Sequence, residues 1–228
     1  MRLIILFIVS LVFPGTILLG QNKQYTGTQD SDPEALSLVN KVRTKYDAFK
    51  TIEAEFSLDI SIPGNAMESQ KGNIRRAGNS VRFELGSQEG IINEKAAYLI
   101  QHTNKEVTIN NLPDPGELNG MLTPQTLFSF YEGDKFVLAL QGEETYEGRR
   151  LQAIELKPVD RDNSEFTKLR MLVDKSKNEL VSIKAFSPDG SYFTFHLGKT
   201  KGDVALAANT FTFNKKEFPD YHVEDLRY

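Results

Sequence analysis

Hydrophobic and polar residues alternate without a miss from Thr51 to Ile62, "TIEAEFSLDISI". Ile52, Ala54, Phe56, Leu58, Ile60 and Ile62 fall on one side, and Thr51, Glu53, Glu55, Ser57, Asp59 and Ser61 on the other. Period two is the mark of a half-buried strand, here about twice the usual length. Just before it the period changes. Leu36, Val39, Val42, Tyr46 and Phe49 recur every three or four residues, which predicts a helix with one apolar face. Asp32 is a suitable N-cap, Pro33 suits the first helical position, and Glu34 complements the positive end of the helix dipole.

Short period-two runs separated by turn residues follow. "SQKGNIRR" and "SVRFELG" flank Gly78 and Asn79, a hairpin signal. "AAYLIQH" pairs in the same way with "EVTIN", "FVLALQG" with "RRLQAIELK", and "KLRMLVD" with "LVSIKAF". "SPDGS" reads as a turn into "YFTFHLG", and "NTFTFN" closes the series before a polar tail. Consecutive hairpins predict an α+β fold built on one large, antiparallel, strongly curved sheet. One stretch interrupts the strands. Residues 111–122 carry Pro113, Pro115, Gly116 and Gly120, and Thr123 and Pro124 then open a second short helix. Leu127, Phe128 and Tyr131 share its apolar face, with Phe130 beside it, as a lid or plug would require.

The N-terminus changes what counts as the mature chain. Arg2, an apolar run from Leu3 to Phe13, the break at Pro14 and Gly15, and small Gly20 have the layout of a secretory signal peptide over residues 1–20. The apolar run is too short and too interrupted for a spanning helix. Residues 21–32 read as a flexible lead-in and 33–228 as one domain, large enough for a real core. Without Arg2 the balance is 26 basic against 31 acidic residues, a net of 26 − 31 = −5, and no basic run stands out. Nucleic acid is therefore not an expected partner. The absence of cysteine excludes disulfides, thiolate metal sites, a cysteine nucleophile and lipidation at an N-terminal cysteine.

Candidate chemistry is thin. His102, His196 and His222 are isolated in sequence, with no HExxH and no pair at metal-ligand spacing. There is no GxSxG and no glycine-rich phosphate loop. Glu143 and Glu144 read as a loop pair, and Asp160 to Asp162 as a solvated turn. No catalytic residue, metal or cofactor is expected, and the chain does not read as an enzyme. The aromatic content says more, with fifteen phenylalanines, eight tyrosines and no tryptophan. Phe56, Leu58, Ile60, Val81, Phe83, Tyr98, Ile100, Leu127, Phe128, Tyr131, Phe193 and Phe195 sit on expected apolar faces. Periodicity alone does not separate a filled core from a greasy cavity, since both need the same inward residues.

The order of motifs adds a resemblance. "GDVALAANTFTFNKKEFPDYHVEDLR" resembles the C-terminal signature of LolA, the periplasmic carrier of outer-membrane lipoproteins: a Phe-Thr-Phe strand followed by Pro219, Val223 and Asp225. "KYDAFKTIEAEFSLDI" is similar to that family's first helix and strand, "QKGNIRRAGNSVRFEL" to its next hairpin, and "VDKSKNELVSIKAFSPDGSYFTF" to its late hairpins. The resemblance runs from about Asp32 to Arg227. It implies an unclosed β-barrel with helices over its concave side, whose apolar interior takes up the acyl chains of a lipoprotein. It also implies a soluble periplasmic shuttle. The shuttle would be loaded by an ATP-driven inner-membrane transporter and would unload to an outer-membrane acceptor lipoprotein. The missing cysteine assigns this chain to the shuttle side. The family places an arginine before proline at the turn where this chain has Ala77 and Gly78, so Arg76, or next Arg75, is the candidate to bond the lid. A same-fold carrier of a glycolipid or pigment lipid, and a periplasmic domain that senses lipoproteins for a signalling partner, remain alternatives.

Overall fold

The computed structural model describes residues 27–112 and 135–227. The expected signal peptide, residues 21–26 of the lead-in, and residues 113–134, which hold most of the interrupting loop and the expected helix with Leu127, Phe128, Phe130 and Tyr131, lie outside the described residues.

The helix forms as α1, Pro33–Asp47. It buries Ala35, Leu38, Val39, Val42 and Tyr46. Leu36, expected on the buried face, is 40% exposed. The apolar stripe is centred one position round the helix, on the line through Ala35, Leu38 and Val42. Asp32 does stand at the N-cap, but its side chain caps nothing in the helix. Asp32 Oδ2 instead accepts a hydrogen bond from the backbone of Leu140 at 2.8 Å, and Ser31 Oγ accepts one from Leu138 at 3.0 Å. The chain entering α1 thereby covers backbone donors of an edge strand, which would otherwise offer itself to another chain.

Among the described residues twelve strands follow. They are β1 (Thr51–Ser61), β2 (Glu68–Ala77), β3 (Ser80–Leu85), β4 (Gln88–Ile92), β5 (Ala97–Gln101), β6 (Glu106–Asn110), β7 (Phe136–Tyr146), β8 (Arg149–Pro158), β9 (Lys168–Asp174), β10 (Glu179–Phe186), β11 (Tyr192–Gly202) and β12 (His222–Asp225). They form one sheet in the order β12-β6-β5-β4-β3-β2-β1-β11-β10-β9-β8-β7. Two meanders, β1 to β6 and β7 to β11, are thus joined edge to edge through the antiparallel β1–β11 pair.

Three expectations are corrected. The sheet is mixed, because β12 runs parallel to β6. It is neither closed nor strongly curled; alternation reports which face is buried, not how far successive strands coil. "NTFTFN" is not a strand. Its backbone makes turns, Thr210 to Ala207 and Thr212 to Asn209. Side chains hold its carbonyls: Arg82 donates to Thr210 O at 3.1 Å and Asn93 to Phe211 O at 2.9 Å. The segment crosses the sheet face and does not extend a ladder.

Cross-strand register separates two faces. On the helix face, Ile52, Ala54, Phe56, Leu58, Ile74, Phe83, Ile183 and Phe195 belong to one buried cluster that includes the apolar side of α1. On the outer face, Ile91, Ile100, Val107, Ile109 and Phe218 form a second cluster, and Leu151, Ala153, Leu172 and Val181 a third.

Candidate functional site: an apolar helix face and a polar outer groove

The apolar positions expected to line a cavity divide between the two faces. Phe56, Leu58, Val81, Phe83 and Phe195 are buried on the helix face, and Ile60 and Phe193 pack against them half-buried. Tyr98 and Ile100 do not join them. Antiparallel partners point to the same side of a sheet. Tyr98 pairs with Ile91 and Ile100 with Glu89, whereas Phe83 pairs with Gly90, the residue between them. Tyr98 and Ile100 therefore face outward, under the C-terminal segment, where the Tyr98 ring stacks on Phe213 at 4.8 Å. Strand β4, between those two stretches, was not foreseen. Its "QEGII" breaks the alternation at Gly90, so the face of everything beyond it could not be assigned by counting.

Glycine shapes the helix face. Gly72 lies opposite Phe56 and Gly90 opposite Phe83. A Cβ at Gly72 would clash with the edge of the Phe56 ring, and one at Gly90 with the edge of the Phe83 ring. Each ring lies across the neighbouring strand and does not stand up from the sheet. Phe56 also meets Phe195 at 6.0 Å with the planes inclined by 40°. The result is a broad layer of flat hydrocarbon, continued by Leu58 and by the half-buried Ile60 and Phe193.

Arg76 sits on this face, opposite Ile52 and Val81. Its Nη2 donates to the carbonyl of Tyr46 at 2.9 Å, in the last turn of α1. A cation there adds to a carbonyl that also accepts from the Phe49 backbone at 3.4 Å, and it matches the negative end of the helix dipole. Tyr46 is buried, and burial pushes its phenol up to about 12. Arg75 turns to the outer face and meets Glu84 at 3.4 Å. Of the two arginines, Arg76 is thus the one on the helix face, where it contacts the end of α1.

The outer face carries a groove of about 530 Å³ between the β1–β2–β3 surface and the end of the β7–β8 hairpin. Its wall is a clasp that sequence reading gave no reason to assemble. His196 Nδ1 is 2.9 Å from the Tyr146 hydroxyl, and His196 Nε2 is 3.1 Å from Asp59 Oδ2. The Tyr146 and His196 rings stack at 5.5 Å, 13° from parallel. The three residues come from β7, β11 and β1, so the clasp joins both meanders. Burial, and then the charges of Glu147 and Asp59, push the Tyr146 phenol up. Among the described residues there is no group of three or more His, Asp or Glu side chains placed to hold a metal, and no helix long and apolar enough to cross a membrane.

No family model matches the chain. An uncharacterized protein of Methanocaldococcus jannaschii is 28% identical over 179 residues, which cover 77% of this chain. The chain spans about half of that curated relative's length. Among solved structures, an uncharacterized conserved protein from Thermus thermophilus superposes with a TM-score of 0.55 at 12% identity, over 86% of this chain and 99% of that one. A LolA superfamily protein from Nitrosomonas europaea superposes with a TM-score of 0.41 at 12% identity, over 78% of this chain and 97% of that one. The likeness to the Thermus protein is one of fold.

Proposed function

We propose that the chain is a periplasmic carrier that takes the acyl chains of lipoproteins onto its helix face and moves them from the inner to the outer membrane. The observation that carries the reading is the flat aromatic layer. Phe56 and Phe83 lie across Gly72 and Gly90 and present flat hydrocarbon on the side of the sheet that α1 packs against, the surface that an acyl chain would enter. Half-buried Ile60 and Phe193 extend that layer. The order of family-like motifs from Asp32 to Arg227 supports the same reading.

The energetics require such a surface. Each methylene removed from water is worth about 0.8 kcal/mol, so a C16 chain costs on the order of 10 kcal/mol to leave in water. A shuttle need not bind it more tightly than a bilayer does; it is loaded and unloaded by partners of graded affinity. In this reading an ATP-driven inner-membrane transporter loads the carrier and an outer-membrane acceptor lipoprotein empties it. Leu127, Phe128 and Tyr131 form a lid that competes with cargo for the helix face. Export rests on the signal peptide read from residues 1–20.

A fluorescent fatty-acid probe tests the proposal. It should bind the folded protein saturably and be displaced by a triacylated lipopeptide. Failure to bind under conditions where the protein is folded would leave the helix face as ordinary core.

A further inference from the structure

We infer that the groove on the outer face is a separate binding site for a small zwitterion that carries an ammonium group and a phosphate or carboxylate group. Its floor presents both signs of charge without pairing them. Glu55 on β1 lies opposite Asn73, and Lys71 on β2 lies opposite Ser57, so Glu55 and Lys71 are diagonal neighbours on one face. Side chains so placed start roughly 7–8 Å apart, within reach of a long residue. Both are exposed and both line the groove, yet among the described residues neither has an ion-pair partner. The other charges nearby are already engaged: Arg75 with Glu84 at 3.4 Å, and Arg149 with Glu147 at 3.5 Å. A ligand with one charge would answer half of this floor. A zwitterion answers both halves, its ammonium toward Glu55 and its anionic group toward Lys71.

The wall suits the ammonium. Stacked Tyr146 and His196 are held by two hydrogen bonds, so the wall is fixed before any ligand arrives. A tyrosine ring face attracts a cation. A volume of about 530 Å³ lies in the range of small-molecule sites. The charged side chains in its lining make it a poor place for an acyl chain, which would displace their water and offer them no partner. The site lies on the opposite face from the proposed acyl layer and stands or falls independently of it.

Titrating the full, isotope-labelled folded chain with O-phosphoethanolamine, and following amide shifts, tests the inference. The expected result is a saturable shift centred on Lys71, Asn73, His196 and Gly198. Choline alone and inorganic phosphate alone should bind at least tenfold more weakly. Glu55→Ala and Lys71→Ala should each weaken phosphoethanolamine about tenfold, as loss of one charged hydrogen bond does. Both residues are exposed, so thermal unfolding should confirm that the variants fold. Glycine and phosphatidylethanolamine vesicles separate the sources. Glycine binding as tightly as phosphoethanolamine points to a free amino acid, and vesicle binding lost in Lys71→Ala points to a lipid head group. No saturation by any zwitterion overturns the inference, as does phosphate or choline binding as well as phosphoethanolamine, or wild-type affinity in both variants.

Discussion

Phe56 lies flat over Gly72, its antiparallel partner on β2. A Cβ at position 72 would also crowd the carbonyl of Glu84, so the glycine is enclosed by a ring on one side and backbone on the other. A side chain at position 72 therefore needs both the Phe56 ring and the Glu84 backbone to give way. Gly72→Ala should cost about 1–3 kcal/mol through displacement of the ring and of the Glu84 backbone, read as a lowered denaturation midpoint. If the reading of the helix face is right, it should also lower acyl-probe affinity. An unchanged midpoint would contradict the close packing of ring and backbone around Gly72.

The sequence carried much of this. Alternation on β1 identified Phe56 and Leu58 as inward, and both are buried. The alternation outlasts the burial, however: Ile62, the last apolar residue in the run, is 44% exposed beyond the end of β1. Turn chemistry placed the first hairpin correctly, with Gly78 at φ +56° between β2 and β3. What failed depended on tertiary context. Phe211 and Phe213 alternate as in a strand, but Arg82 and Asn93 supply the hydrogen bonds that a neighbouring strand would have supplied. The Asp59–His196–Tyr146 clasp joins residues as far as 137 positions apart. No local spacing encodes such a meeting.

Arg76→Ala tests the tie between α1 and the sheet. Loss of a hydrogen bond from a charged donor should cost about 1.5–3 kcal/mol, and Arg76→Lys should recover only part of it, lacking the forked geometry. Arg75→Ala, on the other face at an exposed pair, should cost about 0–1 kcal/mol. Equal losses from both would contradict the assignment of Arg76 to the helix end.

Leu58→Ala and Phe128→Ala should separate wall from lid. Leu58 is 8% exposed within the main cluster, and truncation should cost about 2–5 kcal/mol and weaken acyl-probe binding. If Phe128 belongs to a lid that competes with cargo, Phe128→Ala should hold or raise probe affinity. An equal loss of affinity in both variants would make Phe128 part of the wall.

Glu155 should make stability sensitive to acid. Burial alone would raise its pKa, but the Lys168 hydrogen bond at 2.8 Å, with the charges of Lys168 and Lys157, holds it below its ordinary value of 4.5. A group depressed in the folded state contributes stability above its unfolded pKa and loses it as pH falls through the folded one. Glu155→Gln should therefore be less stable than the parent at pH 7, with the gap narrowing below about pH 4.5. Denaturant midpoints at pH 7 and at low pH measure this; a gap independent of pH would contradict it.

The central claim is that cargo lies on the helix face. A spin-labelled fatty acid bound to methyl-labelled protein reports this directly, through the resonances that it broadens. The account predicts broadening of Leu58, Ile60 and Ile74 on the helix face, while Ile100 and Leu172 on the outer face stay sharp. Broadening of Ile100 and Leu172, or saturating amounts of label that broaden neither set, would contradict it.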